Sequence, residues 1–194
     1  MRRVSKVVVR VSDGPREIEA KYRVRDLAAL EPALGVRGLV LSPPVYQDDQ
    51  AYAQVGWRYG MSKIGAAFAR LRTQDGHHVF TLKKPQDNEM ACLEHETEVA
   101  DREQMHQAIL AMGFYPTVRI VKTRRTATLN DLGLCLDEVE HAGVFLEIEK
   151  LIGPEHSATA VQTELDRFVR TLGVDMERTT DTYDSLVRAA LAPT

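Results

Sequence analysis

Glu17, Glu19 and Lys21 occupy alternate positions of Glu17-Ile18-Glu19-Ala20-Lys21, so in a strand they share one face while Ile18, Ala20 and Tyr22 take the other. The spacing recurs along the chain. Arg70 and Arg72 flank Leu71, Lys83 follows Phe80 and Leu82, Glu94, Glu96 and Glu98 alternate, Lys122 and Arg124 flank Thr123, and Glu147 and Glu149 flank Ile148. A solvated sheet face normally mixes signs along a strand, because like charges repel and opposite cross-strand pairs are favoured. Here the signs are sorted by segment, which reads as a concave surface with an acidic wall and a basic wall. Carboxylates hold a hard divalent cation through oxygen, and Mg²⁺ is typically held by one or two carboxylates plus substrate phosphates. Lys and Arg bind phosphate oxygens, Arg often in bidentate fashion. Together the walls describe a site for a metal-bound polyphosphate.

The elements that must position these side chains are mostly strands. Residues 1–15 read as an arm or an extra edge strand around Val7-Val8-Val9, ending in the turn Asp13-Gly14-Pro15. A strand is expected over about 16–25, then a short helix capped by Asp26 and broken near Pro32. Pro43-Pro44 opens a strand containing Tyr46, Gln47, Asp49 and Tyr52. The Gly-containing loop 53–66 carries Trp57, Arg58, Tyr59 and Lys63, and its length suits a lid or binding loop as well as a plain surface flap. Strands 67–74 and 77–85 form a hairpin around Gln74-Asp75-Gly76, and another strand covers 90–100. Asp101 and Gln104 cap a helix ending at Gly113, with Met105, Ile109 and Leu110 on its apolar side. Three strands fill 115–152, turning at Asn130-Asp131 and His141-Ala142-Gly143, and helices follow at about 157–172 and 181–191.

Parity decides which face is inside. Leu146 and Ile148 point opposite to Glu147 and Glu149, and Leu134 and Leu136 point opposite to Cys135 and Asp137. The helix over about 157–172 presents Val161, Leu165, Phe168, Val169 and Leu172 on one side. Were the charged face outermost, that stripe would have nothing to cover. The charged face is therefore expected inside. Arg125 and Lys84 have the opposite parity to Arg124 and Lys83 and are read as surface residues, and Glu98 as a rim residue.

These motifs resemble, in order, those of the CYTH family, named for class IV adenylyl cyclases and thiamine triphosphatases and part of the triphosphate tunnel metalloenzymes. Glu17-x-Glu19-x-Lys21 resembles the family's first-strand signature. It is followed by Arg70-Leu71-Arg72, Thr81-Leu82-Lys83, Glu94-His95-Glu96, Val121-Lys122-Thr123-Arg124, Leu136-Asp137-Glu138-Val139 and Phe145-Leu146-Glu147-Ile148-Glu149. The resemblance implies an α+β protein, a closed eight-stranded antiparallel β-barrel with helices packed outside, whose interior is a triphosphate tunnel with Mg²⁺ or Mn²⁺. It implies Glu17, Glu19, Glu147 and Glu149 as metal ligands, with Glu94 and Glu96 holding a second metal or orienting basic residues. Lys21, Arg70, Arg72, Lys83, Lys122 and Arg124 match the triphosphate ligands, and Asp137, Lys83 and Glu96 are the catalytic candidates. Two departures stand out: Cys92 occupies a place where the family usually has Arg, and Tyr52 lies one residue late after Gln47 and Asp49 unless a bulge restores it.

The 194 residues suit one domain over 1–194, with 154–194 forming C-terminal helices, and 44% hydrophobic with 27% charged is a globular composition. The net charge of −3 and the lack of an 18-residue apolar run argue against nucleic-acid and membrane partners. Met1-Arg2-Arg3-Val4 followed by Lys6 and Arg10 does not read as a signal peptide, so a cytoplasmic location is expected, with Cys92 and Cys135 as free thiols. The six histidines show no zinc spacing with these cysteines. The expected partner is a small-molecule triphosphate, and the protein is expected as a monomer or homodimer. Most favoured is a class IV adenylyl cyclase-like enzyme converting ATP to cyclic AMP and pyrophosphate. The alternative is a triphosphatase acting on thiamine triphosphate, tripolyphosphate or a nucleoside triphosphate, and the third option is a non-catalytic nucleotide or polyphosphate sensor.

Overall fold

The computed structural model describes residues 16–153 and 155–192, so the arm or edge strand expected over 1–15 lies outside the described residues. The chain runs through β1 (Arg16–Val24), α1 (Leu27–Val36), β2 (Val45–Gln54), β3 (Phe68–Gln74), β4 (His77–Pro85) and β5 (Ala91–Val99). It continues through α2 (Arg102–Ala111), β6 (Phe114–Leu129), β7 (Leu132–Val139), β8 (Gly143–Ile152), α3 (Ala158–Arg170), β9 (Met176–Thr179) and α4 (Tyr183–Leu191). Eight antiparallel strands are ordered β5-β4-β3-β2-β6-β7-β8-β1, and pairing of β5 with β1 closes the barrel. Closure removes sheet edges and gives every strand an inner and an outer face. Among the described residues no helix is long and apolar enough to cross a membrane.

Turn chemistry sets the hairpins. Asp75 and Gly76 both take positive φ (51° and 79°), which matches the right-handed twist of β3 and β4. The outward set of β1, β7 and β8 (Ile18, Ala20, Tyr22, Leu134, Leu136, Leu146 and Ile148) is buried under Leu30 and Leu34 of α1 and Val161, Leu165 and Val169 of α3. On another side Leu71, Ala69 and Tyr52 bury Ile109 of α2. The apolar stripes therefore cover the outside of the barrel and the charged faces line its interior, as the parity of the strands requires.

Four details depart from expectation. Helix α1 runs through Pro32 rather than breaking there. Proline in a helix interior costs about 3 kcal/mol, and burial of Leu30 and Leu34 on either side, worth about 1.5–3 kcal/mol each, offsets it. A ninth strand, β9, pairs with Lys21–Val24 of β1; its four residues, Met-Glu-Arg-Thr, carry no strand periodicity of their own. The irregularity near Tyr52 lies in β6, where three residue steps from Arg119 to Pro116 match two from Gln50 to Tyr52. Against β3 the register stays even, so Tyr52 pairs with Ala69 on the outer face and donates to or accepts from His106 Nδ1 at 2.7 Å. Ala51, paired with Arg70, takes the interior place that a displaced Tyr52 would have filled. Finally, α4 packs outside the barrel at one opening rather than along its side: Tyr183 and Val187 pack on Ile120, Val139 and Phe145, which face inward.

Leu165 is fully buried between α3 and the outer barrel wall. Leu165→Ala is expected to lower the unfolding free energy by about 2–5 kcal/mol through the cavity it leaves, read by urea denaturation. A loss below about 1 kcal/mol would show that α3 contributes little to holding the barrel.

Candidate triphosphate tunnel

The interior is a cavity of about 360 Å³, within the range of small-ligand sites. It is lined by Glu17, Glu19 and Lys21 of β1, Arg70 and Arg72 of β3, Lys83 of β4, Glu94 and Glu96 of β5, Lys122 and Arg124 of β6, and Glu147 and Glu149 of β8. Each sits at alternate positions of its strand, and closure brings these segments, from residue 17 to residue 149, around one space. Asp49, Trp57, Lys63, Phe68, Glu89, Tyr183 and Asp184 also line it. Altogether seven lysines and arginines meet nine carboxylates there, so a polyanion entering would need additional positive charge.

The pairing is uneven. Lys21 lies 3.2 Å from Glu147 and 3.6 Å from Glu19. Arg124 reaches Glu147 at 2.6 Å and donates through Nε to Asp137 at 2.6 Å, while Lys122 donates to Asp137 at 2.9 Å. Arg72 grips Asp49 in a bidentate pair at 2.7 and 2.8 Å. Lys83 lies 2.6 Å from Glu94 and 3.8 Å from Glu17, and Arg70 donates to Glu96 at 3.0 Å and Thr81 at 2.9 Å.

Electrostatics follow from these contacts. Burial disfavours the charged form of Glu147, but Lys21 and Arg124 overcome it and hold the carboxyl below its usual range. In Glu94 burial is likewise overcome by Lys83 and Arg70, and in Asp137 by Lys122 and Arg124. Lys122 goes the other way: burial and the neighbouring Arg124 outweigh Asp137 and Glu147 and bring it down to about 8. Glu17 is pushed up to about 7 by burial, with Glu94, Glu149 and Glu19 adding to the rise and Lys83 opposing it. Glu19 and Glu149 are also raised, by burial and by the charge of Glu147. Three carboxyls are thus short of positive partners on one side of the tunnel.

Those three acids suit a hard divalent cation in chemistry: oxygen donors, carboxylates whose charge lacks compensation, and a glycine that makes room for one of them. A Cβ on Gly133, opposite Glu149 in β7, would lie 2.8 Å from Glu149 Cγ and Oε1. Among the described residues no three candidate ligands already converge on one point, because Glu19 leans to Lys21 and Glu17 to Lys83.

Several placements modify the expected roles. Asp137 is fully buried behind Lys122 and Arg124 and is not among the residues lining the cavity. Glu147 is committed to Lys21 and Arg124, unlike the three raised acids. Cys92, in place of the expected Arg, lines the cavity with its thiol pushed up to about 12 by burial, against the pull of Lys83. Lys84 is exposed, and Arg125 turns outward to Glu31 at 2.6 Å. Trp57 and Lys63 reach the tunnel from the loop 53–66, as its reading as a binding loop allows, whereas Tyr183 lies at a helix end that only the tertiary fold carries there. Asp49 had a signal in its alternation with Gln47, both of them buried.

A model of the CYTH domain matches residues 15–183. The chain belongs to the CYTH family. A Methanocaldococcus jannaschii protein named "Putative adenylate cyclase" is 25% identical over 163 residues, covering 83% of this chain and 91% of that protein. The solved structure of a Pyrococcus horikoshii protein superposes with a TM-score of 0.72 at 24% identity, over 88% of this chain and 99% of that one. A Hippeastrum protein, described as a "Putative adenylyl cyclase" with a dominant triphosphatase activity, superposes with a TM-score of 0.60 at 19% identity, over 93% of this chain and 98% of that one. Both superpositions show that the fold is shared.

The raised Glu17 gives a pH test. Between its usual 4.5 and about 7 it binds a proton more readily folded than unfolded, so its contribution to stability is present below pH 4.5 and lost as pH rises through 7. Glu17→Gln mimics the protonated acid. In chelator, the variant is expected to match the wild type near pH 4.5 and exceed it above pH 7.5 by on the order of 2 kcal/mol, read from melting curves. A gap that stays constant from pH 5 to pH 8 would contradict the assignment.

Proposed function

We propose that this protein is a divalent-cation-dependent enzyme that binds a nucleoside triphosphate in the tunnel, with ATP cyclisation to cyclic AMP and pyrophosphate as its reaction. The observation that carries the reading is the single chamber in which seven cations face nine carboxylates, with Glu17, Glu19 and Glu149 short of positive partners. These three would hold Mg²⁺ or Mn²⁺, while Glu147 steadies Lys21 and Arg124. Glu94 and Glu96 act on Lys83 and Arg70 rather than on a second metal. A bound cation supplies charge neutralisation on the phosphates.

The remaining work belongs to the chain. Lys21, Arg70, Arg72, Lys122 and Arg124 bind and align the phosphate oxygens, with Asp49 and Asp137 setting the geometry of Arg72, Lys122 and Arg124. Asp137 is thus a positioning residue. Lys83, whose ammonium is held charged because Glu17 and Glu94 outweigh its burial, stabilises charge developing on the transferring group. Glu96, at the tunnel wall with Arg70, is the proposed proton acceptor for the attacking hydroxyl. An apolar section formed by Ala51, Ala53, Trp57, Phe68 and Ile120 adjoins the charges. It suits an aromatic base, and the space left by Ala51 lets the nucleoside reach in so that its 3′-hydroxyl lies in line with the α-phosphate. Tripolyphosphate would leave that section unfilled.

A triphosphatase is the second reading, favoured by the activity described for the Hippeastrum protein of the same fold. The same residues would then direct water at the γ-phosphate. Only the orientation of the nucleophile differs.

Activity is expected to vanish in excess chelator and to return with Mg²⁺ or Mn²⁺, and Glu17→Gln or Glu149→Gln is expected to lower it at least about tenfold while the protein stays folded. Full turnover in chelator would remove the metal from the reading. Separating the products of ATP, thiamine triphosphate and tripolyphosphate is expected to give cyclic AMP and pyrophosphate from ATP. ADP with orthophosphate, or faster cleavage of either other compound, would establish the triphosphatase instead.

A further inference from the structure

Tyr183 opens α4 and, among the described residues, is the one aromatic side chain set directly over the tunnel's lysines. Its ring centre is 4.2 Å from Lys21 Nζ and 4.8 Å from Lys122 Nζ, and its edge packs on Phe145 at 5.3 Å. Only 9% of the residue is exposed, and its hydroxyl, buried at the cavity wall, makes no hydrogen bond. A buried hydroxyl without a partner costs about 1–3 kcal/mol, so its persistence requires an explanation. Asp137 lies beside it, but that carboxylate already accepts from Lys122 at 2.9 Å and from Arg124 at 2.6 Å. Burial, Glu147 and Asp137 hold the phenol well above its usual range, so it remains a proton donor.

The ring is fixed where it stands. Lys63, in the loop between β2 and β3, donates to Ser185 at 3.2 Å and lies 3.4 Å from Asp184, both in the first turn of α4. Its ammonium also lies 3.4 Å from Glu89 on the opposite side, between β4 and β5. Lys21 donates to the Asp181 carbonyl at 3.3 Å. Three other parts of the chain thus fix the ring against two lysines, and the acceptor beside its hydroxyl, Asp137, is shared with Lys122 and Arg124.

We propose that the Tyr183 hydroxyl is a substrate-binding group of the tunnel, donating to an oxygen of the polyphosphate chain where it passes between Lys21 and Lys122. This rests on the polyphosphate reading of the tunnel. A phosphate oxygen there would give the hydroxyl an acceptor it need not share with Lys122 and Arg124, in a place where both lysines already set positive charge. A neutral donor adds affinity there without adding to the repulsion among Lys21, Lys122 and Arg124.

The experiment uses the full chain with tripolyphosphate and Mg²⁺, reading affinity by calorimetry and ligand-free melting temperature in the same buffer. Tyr183→Phe deletes only the hydroxyl. The variant is expected to melt at or above the wild-type temperature when empty, and to bind tripolyphosphate roughly tenfold or more weakly, the loss of one hydrogen bond to a charged acceptor. Unchanged affinity overturns the proposal. A lower melting temperature of the empty variant also overturns it, because the hydroxyl would then be serving Asp137. Arg72→Ala separates the two levels. If the wild type binds tripolyphosphate and Arg72→Ala weakens it while Tyr183→Phe does not, this assignment alone fails; if the wild type does not bind, the polyphosphate reading fails with it.

Discussion

Everything in this molecule depends on keeping a crowd of buried charges mutually neutralised inside a closed barrel. A single unpaired charge in such a place is strongly destabilising, and even paired charges are weak contributors to stability because desolvation consumes most of their attraction. The tunnel therefore does not hold the fold together. That task falls to the other face of the same strands, where Ile18, Ala20, Leu134, Leu136, Leu146 and Ile148 bury the apolar stripes of α1 and α3. Alternation lets each strand carry stability on one side and chemistry on the other.

The neutralisation is incomplete in a directed way. Lys122, Arg124, Lys21, Asp137 and Glu147 form a connected chain of opposite charges in which both acids are held below their usual range. Glu17, Glu19 and Glu149 are the remainder, raised by burial and by one another's neighbourhood. One side of the chamber is thus prepared for anionic oxygens and the other for positive charge. A bare polyanion would repel the second side, and a bare cation would find no phosphates to complete its coordination; the two entering together meet both demands.

Parts outside the regular barrel pattern also line the chamber. The loop between β2 and β3 brings Trp57 and Lys63 to the chamber, and α4 brings Tyr183. The extra residue of β6 leaves Ala51 on the inner face and turns Tyr52 outward to His106. These features shape the space beside the charged side chains of the tunnel.

The alternation of Glu17, Glu19 and Lys21, and its echoes through Glu149, sorted each strand into a charged and an apolar face and named most of the charged set, because a period of two leaves each residue only one face. The apolar stripe of α3 supplied the sign, inside against outside. Pairwise choices were not legible. That Asp137 lies behind two cations while Glu149 lies against Gly133 depends on the stagger of neighbouring strands, which no single strand encodes. The same holds for β9, whose strand conformation comes from the free length of β1, and for Pro32, tolerated because Leu30 and Leu34 are buried beside it. Tyr183 and Lys63 reach the tunnel only because closure leaves an opening that α4 covers. Local spacing determines which face a residue takes, whereas the partner it meets across the tunnel is decided only when the ring of strands closes.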